Sequence, residues 1–118
     1  MITELLKLHN QLKIYHWQTE SYAQHQAFGS AYGDLTDLID EFIEVFMGKN
    51  ARIKGKNGFS IELNNIDNSD ANKFIDDNIE FLTGIESKLG EGYNGELLNI
   101  RDEMVAVLNK LKYLLTLK

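Results

Sequence analysis

Four side chains of types that bind metals stand within 29 residues of one another: His16, His25, Asp40 and Glu44. Asp40 and Glu44 are four apart, so on a helix they lie one turn above each other and both can reach one ion. Two imidazole nitrogens with two carboxylates form a mixed N/O set, which suits iron first, with zinc and manganese as alternatives. Calcium and magnesium prefer oxygen alone. There is no cysteine, so thiolate ligands, disulfides and thiol catalysis are excluded, and any metal must be held by nitrogen and oxygen. His9 lies seven residues, two turns, before His16 on the same side of a helix.

The elements that would position these residues are helical. Proline is absent and the apolar positions recur with helical period over most of the chain. A first helix is expected after Thr3 as N-cap, with Leu5, Leu8, Leu12 and Tyr15 on one face and His9 and His16 beside them. It stops between Gln18 and Ser21. Ser21 caps a second helix whose stripe Phe28, Tyr32, Leu35, Ile39, Phe42 and Phe46 alternates steps of four and three as far as about Met47, with Gly48 as its stop. Residues 49–68, rich in asparagine and glycine, form a loop pinned by Phe59, Ile61 and Leu63. A third helix, capped by Asn68 or Ser69, carries Phe74, Ile75, Ile79, Leu82, Ile85 and Leu89 and ends at Gly90 and Gly92. A fourth starts after Asn94 and carries Leu97, Met104, Leu108, Leu111 and Leu115 almost to Lys118.

Two short links imply two antiparallel helix pairs. The middle segment is long enough to span the ~39 Å of helix two. The expected fold is all-α, a single domain over residues 1–118: a four-helix bundle with one long crossover between helices two and three, the ferritin-like connectivity. At 100° per residue, Asp40 and Glu44 fall roughly 110° to 150° from the centre of the apolar stripe of helix two. They therefore point away from the bundle core, either as plain solvated surface or, with Gly33 and Asp37, as one half of an interface with another copy.

The chain has 118 residues, 43% hydrophobic and 25% charged, with 12 basic and 18 acidic side chains and a net charge of −6. That charge opposes binding to a phosphate backbone, and Arg52, Lys54 and Lys56 are too few to override it, so nucleic acid is not an expected partner. No apolar run reaches the roughly 20 residues of a membrane span, and the start lacks the features of a secretory signal, so a cytoplasmic location is expected.

His16-Trp17 at the end of helix one, His25 early in helix two, and Asp40 and Glu44 further along it resemble, in that order, the mini-ferritins of the Dps (DNA protection during starvation) family. The stretch from Ile100 to Leu108 is similar to that family's last helix. The resemblance implies that His16 and His25 of one subunit, with Asp40 and Glu44 of its twofold neighbour, bind iron(II) and oxidise it, in iron storage and oxidative protection. It places Trp17 where it can intercept oxidising equivalents; read from the residue alone, Trp17 is a packing residue. There are departures: Gly29 stands where the family has a further Asp, which removes a ligand from a second iron position. The interval between the two histidines is three residues shorter, and the basic tail and the small crossover helix are missing, which takes away the usual basis for DNA binding and for a twelve-subunit shell. The string from Tyr15 to Thr19 is similar to virus-encoded proteins. The competing expectation is a non-catalytic helical bundle, an oligomeric structural or adaptor component, for instance of a virus particle.

Overall fold

The computed structural model describes all of residues 1–118, and every regular element in it is helical. Four α-helices follow in order: α1 (Ile2–Gln18), α2 (Tyr22–Lys49), α3 (Ala71–Thr83) and α4 (Gly95–Leu114), with 3-10 turns at Ile66–Asn68 and Ile85–Lys88. The molecule measures 45 × 31 × 20 Å, its long axis set by the 28 residues of α2, which rise about 42 Å.

The start of α2 is dictated locally. Ser21 is extended, and its hydroxyl accepts from the Gln24 backbone N–H, satisfying one of the free donors of the first turn. The helix then runs through Gly48 and ends with Asn50 as C-cap. Thr3 caps nothing, because α1 already begins at Ile2.

One core holds the helices together. Leu5, Leu8, Leu12 and Tyr15 of α1 meet Phe28, Leu35, Ile39 and Phe42 of α2, with Ile75 and Leu82 of α3 and Leu97, Met104, Leu108 and Leu111 of α4. Tyr15 joins three parts of it. Its ring lies 5.4 Å from that of Phe28 and edge-on to that of Phe74 at 6.0 Å, while its hydroxyl is bonded to Ser69. Burial pushes that hydroxyl's pKa above its ordinary value.

Polar ties fix the directions of the helices. Lys49 at the end of α2 bonds Asn94 and Glu96 at the start of α4, and Ala27 near the start of α2 shares a hollow with Leu111 and Leu114 at the end of α4, so the two run antiparallel. The α3–α4 pair is antiparallel as well: Arg101 donates to the carbonyls of Leu82 and Thr83, while Lys112 reaches Asp76.

Helix α3 is shorter than its apolar period implies. Asp70 caps it, accepting from the Lys73 N–H, and it ends at Thr83. The guanidinium of Arg101 takes its last carbonyls there, and Ile85 and Leu89 are buried from a 3-10 turn and its end instead. The middle segment is also held differently from expectation. Phe59 and Leu63 are exposed. Gln11 and Gln18 of α1 do the work: the Gln11 amide exchanges two hydrogen bonds with the Asn64 backbone (2.9 and 2.8 Å), and Gln18 accepts from the Ile66 N–H and donates to the Asn65 side chain. No helix is long and apolar enough to cross a membrane.

Candidate metal centre

The short turn from Thr19 to Ser21 brings the end of α1 beside the start of α2, and with them His16 and His25. The two imidazoles stack, with ring centroids 3.8 Å apart and planes 16° from parallel. Each anchors the other's backbone. His16 Nδ1 lies 2.6 Å from the His25 carbonyl oxygen, and His25 Nδ1 lies 2.8 Å from that of His16. A carbonyl only accepts, so both Nδ1 atoms carry the proton and donate. The neutral rings then have an unprotonated Nε2 each, and neither makes a hydrogen bond within the chain. A ring N–H given to a backbone carbonyl is the usual orienting partner of a metal-bound histidine, because it fixes the tautomer that leaves the other nitrogen's lone pair available. The simple structural role of a helix-end histidine, donating to a carbonyl, is thus fulfilled by the same bond that frees a ligand atom.

Gly29 explains how the rings fit. A methyl group at this position would lie 2.7 Å from Cε1 and 2.8 Å from Nδ1 of His16, so the imidazole occupies the space a side chain would fill. Glycine inside a helix costs about 1 kcal/mol relative to alanine, and here that cost makes room for His16. Tyr32, one turn further on, packs against the same ring at 5.3 Å, and Lys13 lies over Tyr32. Tyr22 stands at the other end, 6.5 Å from His25. Trp17 is 65% exposed, so it contributes little to core packing.

Asp40 and Glu44 are exposed on α2, as their displacement from the apolar stripe requires. They follow His25 and Gly29 along one side of the helix, but 15 residues separate His25 from Asp40, roughly 22 Å of rise. Within one chain the carboxylates therefore cannot reach the imidazoles, and no three metal-ligating side chains converge. Gly33 lies midway on that side, exposed, with nothing within 4 Å of where a side chain would begin.

His9 is set apart from the pair. Its Nδ1 is buried without a hydrogen-bond partner. Burial holds its pKa below the ordinary 6.5, and Lys13 lowers it further, while Asp40 opposes both. A base whose pKa is depressed on folding binds its proton more readily in the unfolded chain. Stability therefore falls as pH drops from about 6.5 through the folded-state pKa, and is fully present above 6.5. His9→Leu should remove that loss and the unsatisfied nitrogen together, raising stability by about 1 kcal/mol at neutral pH and more in acid. Urea unfolding of both chains at pH 5 and 7.5 measures it; an unchanged gap between the two pH values would refute the assignment.

An all-helical chain with a paired-imidazole site at the turn between its first two helices belongs, by sequence, to a defined group. A family model described as a family of unknown function, DUF5856, matches residues 16–115, and the chain is a member of that family. The matched span contains all four candidate ligands. A protein of Enterobacteria phage T4, the "uncharacterized 14.6 kDa protein in mobD-ri intergenic region", is 30% identical over 106 residues, which cover 87% of this chain and 75% of its own. No solved structure matches the chain at a significant level.

Proposed function

We propose that the chain is a ferritin-like, Dps-related protein that binds iron(II) and oxidises it at a site shared by two copies, with His16 and His25 from one and Asp40 and Glu44 from the other. The observation that carries this reading is the reciprocal bonding of His16 and His25, which holds two imidazoles with both Nε2 lone pairs unused. Such pre-orientation has a use if those nitrogens take a ligand.

The long connector supports the fold part of the reading. Its start follows α2, and its end is bound to Gln11 midway along α1 and then to Gln18 at the far end, a course compatible with a ferritin-like crossover. A second α2 packed antiparallel, with a twofold axis near Gly33, would set each copy's Asp40 and Glu44 opposite the other's imidazoles, and a glycine at the axis lets the backbones approach. Iron(II) is the substrate. The imidazoles fix its position, and the carboxylates offset the charge gained when it loses an electron to dioxygen or peroxide. Zinc or manganese would use the same donors. Because the His16 ring fills the space at Gly29, the set serves one metal position.

Trp17 and Tyr22, exposed beside the pair, favour a second reading, a non-catalytic oligomeric structural or adaptor protein; the phage source of the T4 relative suits it.

Anaerobic iron(II) titration followed by admission of air separates the two. Wild type should saturate and then gain ferric absorbance. A chain with His16→Ala and His25→Ala should bind nothing, and so should one with Asp40→Ala and Glu44→Ala. Mixed and allowed to exchange, the two should recover about a quarter of the wild-type sites, because half the dimers are mixed and each carries one intact site. Absence of saturable binding in wild type would leave the structural reading, and full binding by the carboxylate-free chain would remove the shared site.

A further inference from the structure

The exposed side of α4 carries a charge pattern that the chain itself leaves unused. Of the six charged side chains in this helix, four have partners in the chain: Glu96 with Lys49, Arg101 with Asp102, and Lys112 with Asp76. Glu103 and Lys110 form no ion pair or hydrogen bond. They are exposed and seven residues apart, too far along the helix axis to meet each other. Asn99, Glu103, Ala106, Lys110 and Tyr113 fall within a narrow arc at 100° per residue, so they form one stripe with the small Ala106 at its centre. Tyr113 is 62% exposed.

The stripe is complementary to itself. Glu103 lies three residues before Ala106 and Lys110 four after it. In an antiparallel crossing of two such helices over Ala106, each glutamate faces the other copy's lysine, as a twofold contact requires. The surroundings reinforce the match, since Asp34 and Asp37 of α2 line the same hollow as Glu103 and Ala106. An incoming lysine meets three carboxylates.

We propose that this chain associates with a second copy through α4, about a twofold axis at Ala106, with Glu103 of each copy paired to Lys110 of the other. The charge pairs set the register, and covering Tyr113 supplies the affinity. This face lies on the α2–α4 side and contains none of the four proposed iron ligands, although Asp37 borders both contacts, so the inference does not rest on that reading. With both contacts formed, the axes would generate a closed dihedral tetramer or an open chain; with this one alone, a dimer.

Sedimentation velocity of the full chain at about 100 µM tests it. Wild type should sediment as a dimer or a multiple of one. Glu103→Lys and Lys110→Glu should each weaken association on the order of 100-fold, because every homodimer then opposes like charges twice, and each should halve the mass. An equimolar mixture of the two variants should regain the wild-type mass, since the mixed dimer again pairs unlike charges at both positions. A monomeric wild type, single variants that keep their mass, or a mixture that stays at reduced mass would overturn the proposal.

Discussion

Gly29→Ala is expected to lower iron(II) affinity on the order of 100-fold while leaving α2 as helical as before. The two effects have separate causes. Alanine is the better helix former by about 1 kcal/mol, so α2 gains locally. The new methyl, however, would sit under 3 Å from two atoms of the His16 ring. The ring can yield only by leaving its bond to the His25 carbonyl and its stack on His25, which takes one of the two nitrogens out of position. Gly48→Ala is the matched control for the helix, because nothing stands within 4 Å of that position and it is away from the proposed axis at Gly33. Circular dichroism and anaerobic iron(II) titration of the two variants check both halves of the argument. If Gly29→Ala bound iron(II) as tightly as wild type, the imidazole pair would not be the ligand.

Gln11→Ala should destabilise the fold by about 2–3 kcal/mol, a drop in Tm of about 10 °C for a chain of this size. Gln11 is fully buried, and its amide both donates to and accepts from the backbone of Asn64, 53 residues away. Truncation removes two hydrogen bonds and leaves a gap among apolar side chains that water fills poorly. The loss should be local before it is global. Proteolysis around Gly55 to Gly58 should accelerate more than thermal unfolding alone accounts for, because only Gln18 and Tyr15 of α1 then remain hydrogen-bonded to the connector, both near its far end at Asn65, Ile66 and Ser69. Unaltered cleavage kinetics would show that the connector is held by something else.

Where local chemistry settles an element, the sequence conveyed it. The hydroxyl of Ser21 and the alternating stripe from Phe28 to Phe42 define α2 without reference to the rest of the chain, and the same stripe turned Asp40 and Glu44 outward. What stayed hidden depends on distant partners. The apolar period of α3 continues through Ile85 and Leu89, and both are buried, yet the helix stops at Thr83, with Gly84 as its C-cap and Arg101, 18 residues on, donating to the Thr83 carbonyl. Gln11 interrupts an apolar face and looks like a defect of pattern until Asn64 is beside it. Phe59 and Leu63 suggested anchors by their hydrophobicity, whereas the anchoring groups are amides. At the candidate site, the sequence set His16 and His25 on either side of one short turn, and the two rings meet there. It gave no sign that the His16 ring occupies the space beside Gly29, since that follows from how the turn from Thr19 to Ser21 sets α1 against α2.

The connector also has a kinetic consequence. Each helix pair is joined by a short link and makes mostly local contacts, so the α1–α2 and α3–α4 hairpins can form early and separately. Closing the roughly 50 residues between Gln11 and Asn64 costs chain entropy that only the docked halves repay. During that search an α3–α4 hairpin fits the α1–α2 half of any copy nearby as well as its own. Refolding at high concentration should therefore yield exchanged dimers, with connectors passing between molecules, that dilution resolves only as slowly as the helices part.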